Sequence, residues 1–153
     1  MAERNHATDT TKVFFICTHN SARSQMAEGF LNHLGAGRFE ARSAGTEPSA
    51  LHPLAVQVMA EEGIDISGQH AKSIDAFLQE PFDYVITVCD DANETCPLFP
   101  NARQRLHWSL PDPSRAEGTR EERLAFFRAI RDAIRARVEE FLTASVRERD
   151  RLP

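Results

Sequence analysis

The chain holds no apolar run of membrane-spanning length, so no membrane-embedded segment is expected. Its first eleven residues have no apolar core and do not read as a signal peptide. Cysteine is scarce and odd in number, at three, which argues against a secreted disulfide scaffold. A reducing cytoplasm is the expected setting, with the thiols kept for chemistry. Positive charge is in deficit: 18 Lys and Arg stand against 23 Asp and Glu, for a net charge of −5, and no basic run stands out. Nucleic acid and anionic membrane surfaces are therefore not expected partners. Internal repeats and low-complexity stretches are absent too. What remains is 153 residues, 41% hydrophobic and 27% charged, an ordinary composition for one soluble domain. A chain this long buries roughly 70% of its unfolded surface and needs no disulfide or metal staple.

The apolar pattern divides the chain as follows. Residues 1–11 read as a disordered tail, 12–146 as a single catalytic domain, and 147–153 as a frayed polar end. Val13-Phe14-Phe15-Ile16 is a buried strand over about 12–16. A helix over 22–34 follows, with Met26, Ala27, Phe30, Leu31 and Leu34 on one face and Gly35 as its stop. Phe39–Ser43 is a second strand; a second helix starts near Pro53 and stops at Gly63. A short helix is expected near Ile74–Leu78, a third strand at Tyr84–Val88, and a weaker fourth at Gln104–Trp108. Thr119 and Glu122 form a capping box for a last helix striped with Leu124, Phe127, Ile130, Ile134, Val138 and Phe141. Strands alternating with helices predict an α/β fold: a four-stranded parallel sheet flanked by helices. Monomer is the default, because no apolar stripe is left over.

The chemistry concentrates in Cys17-Thr18-His19-Asn20-Ser21-Ala22-Arg23-Ser24, between the first strand and the first helix. A small polar loop there turns successive N–H groups inward, and the helix adds its positive dipole end. That is a cradle for a tetrahedral oxyanion. Arg23 adds a planar, permanently charged fork. The same field favours the thiolate of Cys17, and Ser24 is placed to donate to the sulfur.

Cys89 ends the third strand and Asp112 follows the fourth, so with Cys17 they should emerge at the carboxyl edge of one sheet. Asp112 lies between Pro111 and Pro113, which hold it rigidly; protonated, it could serve as general acid to a leaving oxygen, or it is an ordinary turn aspartate. Cys89 and Cys96 bracket a polar segment of low helix propensity. Were it helical, their Cα atoms would stand about 10.5 Å apart along the axis. A disulfide needs roughly 4.4–6.8 Å, so bonding the two demands unwinding. Two buried thiols or an exchanging pair both fit; a metal site lacks the ligand spacing. His19 is expected to face solvent. His107 and Trp108 read as packing, and Arg42, His52, His70 and Lys72 have no place assigned by the pattern.

With these residues together, the chain resembles the thioredoxin-coupled arsenate reductases, which share the fold of low-molecular-weight protein tyrosine phosphatases. The resemblance spans about Lys12–Leu142. It rests on Cys17-x5-Arg23-Ser24, Ser24-Gln25-Met26-Ala27-Glu28-Gly29, Arg42-Ser43-Ala44-Gly45, Gly63-Ile64-Asp65-Ile66-Ser67, Thr87-Val88-Cys89-Asp90, Cys96-Pro97 and Asp112-Pro113. The resemblance implies a three-cysteine relay that reduces arsenate to arsenite. Cys17 attacks arsenate held by Arg23 and the loop, Asp112 protonates the departing hydroxyl, Cys89 attacks Cys17, and Cys96 attacks Cys89. The Cys89–Cys96 disulfide then goes to thioredoxin. Phosphate and sulfate are the expected substrate analogues. Some members bind potassium through residues matching Asn20, Glu28, Ser43 and an aspartate; Lys72 stands at the aspartate position, so no metal and no cofactor are expected. The chain also departs from some members at His19, where they carry glycine.

Two other functions compete. A phosphatase would hydrolyse phosphate monoesters through a phosphocysteine at Cys17. Against it, Ser114-Arg115 follow Asp112-Pro113 where the similar tyrosine phosphatases place ring-flanking aromatics, and Cys89 and Cys96 would have no task. An oxyanion sensor without turnover would need neither a general acid nor resolving thiols.

Overall fold

The computed structural model describes residues 10–90 and 99–150. Most of the expected N-terminal tail, the last three residues, and Cys96 with its neighbours in 91–98 lie outside the described residues. Within them the order is β1 (Thr11–Cys17), α1 (Arg23–Leu34), β2 (Phe39–Gly45), α2 (Pro53–Ala60), β3 (Phe82–Thr87), β4 (Ala102–His107) and α3 (Arg120–Asp150). Short 3-10 turns occupy Ile74–Phe77 and Pro113–Arg115. All strands run parallel in the order β2-β1-β3-β4, the expected four-stranded sheet flanked by helices.

β1 and β3 are the inner strands, and β1 carries the longest unbroken buried apolar run. Val13, Phe14, Phe15 and Ile16 have no exposed surface, as a strand covered on both sides requires. Alternation then splits the strand between two cores. Val13, Phe15 and Cys17 join the larger core beneath the three helices. Phe14 and Ile16 join a smaller core with Phe77, Phe82, Val85 and Phe99. There Phe14 stacks on Phe82 at 4.6 Å and meets the edge of Phe99 at 4.9 Å. β4 is one of the two edge strands, and Arg103 through His107 are exposed, which explains its weak apolar signal.

The helices close as their end residues dictate. Gly35 N–H donates to the Leu31 carbonyl at 2.8 Å, and Gly63, at φ +77°, ends the turn that follows α2. The capping box at α3 forms both ways: Glu122 N–H to Thr119 Oγ1 at 3.1 Å, and Thr119 N–H to Glu122 Oε1 at 2.8 Å. The α3 stripe from Leu124 to Phe141 is buried as expected, each such side chain contributing about 1.5–3 kcal/mol. Arg131 is buried on the same helix and donates to the Val58 carbonyl and to Glu61, fastening α2 to α3. The hydrogen bond from Arg128, helped by Arg131, pulls the Glu61 carboxyl down to about 2.

The register fixes the site. Cys17 pairs with Gly45, and Ile16 pairs with Thr87, so β1, β2 and β3 all end at one level.

Candidate active site

The chain leaves β1 at Cys17 and enters α1 at Arg23, and the loop between them is held from outside. Glu47 N–H donates to the Thr18 carbonyl at 2.8 Å, Ser49 N–H to the His19 carbonyl at 3.0 Å, and His52 N–H to the Ser21 carbonyl at 2.9 Å. The 47–52 segment is thus a strap that takes the loop carbonyls outward, leaving its amides for the interior. Ala22 is the N-cap of helix α1 and offers no side-chain hydrogen bond, and the first turn carries no acid. The helix's terminal donors and dipole are left for an anion.

The sulfur sits among donors. Cys17 Sγ lies 2.9 Å from Ser24 Oγ and receives the Asn20 N–H at 3.2 Å. Asn20 Nδ2 donates to Ser24 Oγ at 2.7 Å, which turns the Ser24 proton toward the sulfur. The same amide donates to Ser43 Oγ at 3.0 Å, and Ser43 donates to Glu28 Oε1 at 2.5 Å. The chain of bonds therefore ends on an acceptor at each side, the Glu28 carboxylate and the Cys17 sulfur. Cys17 is 2% exposed, so this sulfur is shielded from water.

Arg23 is 2% exposed and its fork is set by backbone. Nη1 donates to the Val88 carbonyl at 3.2 Å and the Leu110 carbonyl at 3.0 Å, while Nη2 stands 3.8 Å from Asp112 Oδ2. The residue before Cys89 and the turn after β4 thus meet at the Arg23 guanidinium. Asp112 is a turn aspartate that also faces Arg23. Its Oδ1 caps the 3-10 turn, accepting from Ser114 N–H at 3.0 Å and Ser114 Oγ at 2.7 Å, and its Oδ2 faces Arg23. Cys89 is fully buried. Neither Cys17 nor Cys89 is in a disulfide.

The unassigned residues also find places. His19 is half-buried, with Nδ1 3.0 Å from the Glu47 carbonyl, so it ties the loop to the strap. His52 caps α2 by accepting from Leu54 N–H at 3.1 Å and packs on Phe127; burial and then Arg123 push its pKa down, against a smaller pull from Asp112. Arg42 stays exposed beside Glu40. Lys72, which the resemblance sets beside Asn20, Glu28 and Ser43, joins their network. Its N–H donates to Asn20 Oδ1 at 2.8 Å, and its Nζ lies 4.0 Å from Glu28 Oε1. Among the described residues no group of three or more His, Cys, Asp or Glu stands where it could hold a metal ion.

Burial raises the Glu28 pKa, and Ser43 and Lys72 oppose it. Burial also lowers the Lys72 pKa, with Glu28 opposing. A raised carboxyl binds more protons folded than unfolded, so its ionisation removes stability as pH climbs from about 4.5 through the folded value. Lys72→Met removes the compensating charge and pushes Glu28 further up. The variant should lose stability more steeply than wild type between pH 5 and 8, by about 2 kcal/mol at pH 8, less than for a fully buried pair. Thermal melts across that range check it; parallel curves would mean that Glu28 does not sense Lys72.

A family model described as low molecular weight phosphotyrosine protein phosphatase matches residues 12–151. The chain belongs to this family. It is 48% identical to an arsenate reductase of Shouchella clausii over 84% of this chain and 93% of that one. A solved structure described as an arsenate reductase in the phosphate binding state superposes with a TM-score of 0.76, at 38% identity over 88% of this chain and 98% of that one. A thioredoxin-dependent arsenate reductase of Corynebacterium glutamicum gives a TM-score of 0.68 at 31% identity, over 90% of this chain and 63% of that one. The resemblance drawn from the motifs holds: within the family, the chain groups with the arsenate reductases. No helix among the described residues is long and apolar enough to cross a membrane.

The motifs named Cys17, Arg23, Asp112 and Cys89 as candidates. They missed Gln25, Gln69 and the 47–52 strap as parts of the site.

Proposed function

We propose that this protein reduces arsenate to arsenite with three thiols and is recharged by thioredoxin. The observation that carries the reading is the Cys17 sulfur, held by two donors inside an anion-binding loop where Arg23, Asp112 and the end of β3 converge. Cys17 thiolate attacks arsenic, forming S–As and breaking one As–O bond, while Asp112 gives its proton to the departing oxygen. Cys89 thiolate then attacks the Cys17 sulfur. The S–As pair of electrons stays on arsenic, which leaves as arsenite at oxidation state three, and the two sulfurs are oxidised to a disulfide. Cys96 attacks Cys89 and frees Cys17 as thiolate; the dithiol of thioredoxin reduces Cys89–Cys96. The phosphate binding state of one related structure supports phosphate as an analogue, and the thioredoxin-dependent relative supports the donor. Lys72 supplies the positive charge beside Glu28, so the reaction needs no metal.

The deciding experiment is a single turnover with excess arsenate and no reductant, followed by thiol counting and mass mapping. Loss of two thiols with a Cys89–Cys96 bond supports the relay. Retention of all three thiols, with steady release of phosphate from an aryl phosphate, would move the assignment to a phosphatase working through phosphocysteine at the same loop.

Asp112→Asn should lower kcat for arsenate by about a hundredfold or more with little change in KM, since proton transfer to the leaving oxygen is lost. Steady-state kinetics with thioredoxin and its reductase check it, and an unchanged kcat would return Asp112 to a purely capping role.

A further inference from the structure

Asn20 is the sole non-glycine residue at positive φ among the described residues, at +52°. A left-handed asparagine costs free energy and persists only where its surroundings over-determine it. Here that conformation aims the Asn20 N–H at the Cys17 sulfur. Its side chain is bound by Ser24, Ser43 and the Lys72 N–H. Its carbonyl is bound by Gln25, whose Nε2 lies 2.9 Å from Asn20 O and 3.1 Å from Asn20 Oδ1.

Gln25 is fully buried in the first turn of α1, where a methionine would fill the volume at a lower desolvation cost. Its amide has one workable orientation. Gln69 Nε2 donates to Gln25 Oε1 at 2.7 Å and to the Gln25 carbonyl at 3.1 Å. Gln25 Nε2 also donates to the His70 carbonyl at 2.9 Å. A flipped amide would set its oxygen against three acceptor oxygens. Gln69 therefore orients Gln25, Gln25 holds the Asn20 carbonyl and side-chain oxygen, and with the residue so fixed the Asn20 N–H meets the sulfur.

We propose that Gln25, oriented by Gln69, is a positioning residue that locks the Asn20 backbone so that its N–H stabilises the Cys17 thiolate. The proposal rests on the reading of Cys17 as nucleophile. It explains why buried Gln25 and half-buried Gln69 link the 69–72 segment to the loop: the network runs to the reacting sulfur rather than ending in packing.

The test reads the sulfur directly, without arsenate. Carbamidomethylation of Cys17 by iodoacetamide is followed against pH by peptide mass mapping in wild type, Gln25→Met and Gln69→Ala, beside thermal melts. Hydrogen bonding to the charged form favours it, so losing that bond should move the pH of half-maximal rate up by about one unit in Gln25→Met. The rate below that pH should fall about tenfold. Gln69→Ala should move it the same way by about threefold, since the amide survives but is no longer oriented. A lower melting temperature with a Cys17 profile coincident with wild type would overturn the proposal and leave the pair structural. If Gln25→Met does not melt cooperatively, Gln69→Ala decides by the same profile, its side chain being only half-buried. Wild-type Cys17 reacting no faster than Cys89 would overturn the nucleophile reading itself, and the positioning role with it.

Discussion

Cys17→Ser should lose arsenate turnover by at least about a thousandfold while keeping its melting behaviour and its affinity for phosphate. The loss follows from what surrounds the atom. The sulfur is approached by Ser24 Oγ at 2.9 Å and by the Asn20 N–H at 3.2 Å, and both stabilise an anion by donating to it. Neither is a base. A thiol needs only such stabilisation to act as thiolate, whereas a serine hydroxyl needs a partner that removes its proton. Binding, by contrast, depends on groups the substitution leaves in place: the loop amides, the start of α1 and Arg23. Phosphate affinity by calorimetry and turnover with thioredoxin separate the two. Turnover surviving in Cys17→Ser would place the nucleophile elsewhere and undo the proposed chemistry.

The central strand, the three helices and the Cys17–Ser24 loop were legible because each writes a local pattern. β1 is an unbroken apolar run, α3 a periodic stripe with a capping box, and the loop a cysteine and an arginine at fixed spacing. Boundaries slipped where local pattern and tertiary demand differ. The second strand, expected to stop at Ser43, runs on through Ala44 and Gly45, because Gly45 pairs with Cys17 across the sheet. β3 starts at Phe82, ahead of the expected Tyr84, because Phe82 packs into the smaller core although Asp83 interrupts the apolar run. The supporting residues were illegible for a different reason. Gln25 sits at a helix position that reads as polar surface, yet the first turn of α1 points into the sheet edge and buries Arg23, Ser24 and Gln25 together. Its partners Gln69 and His70, and Lys72 that holds the Asn20 side chain, come from a segment 44 to 52 residues downstream with no periodic signal. Only the closed topology brings them to Asn20.

Gly45→Ala should be the most damaging of the small substitutions outside the loop, with a loss of about 3 kcal/mol in stability and about a hundredfold in kcat/KM. A Cβ there would stand 2.5 Å from the Thr18 carbonyl oxygen, 2.9 Å from Asn20 N and 3.0 Å from the Cys17 carbonyl oxygen. All three are backbone, so no rotamer change relieves the contact. Either β2 withdraws from β1, breaking the Cys17–Gly45 pairing, or the loop shifts away from the strap that holds its carbonyls. Both movements displace the Asn20 N–H from the sulfur, and displacement on the scale of an ångström is enough for a loss of that size in rate. Gly68→Ala is the matched control. Nothing lies within 4 Å of its added methyl, so stability should change by no more than about 0.5 kcal/mol and kcat/KM should hold. Urea unfolding and steady-state kinetics on the two variants give the comparison. A Gly45→Ala protein with wild-type activity would mean that the loop tolerates displacement, and that its fit against β2 does not set the geometry of the sulfur.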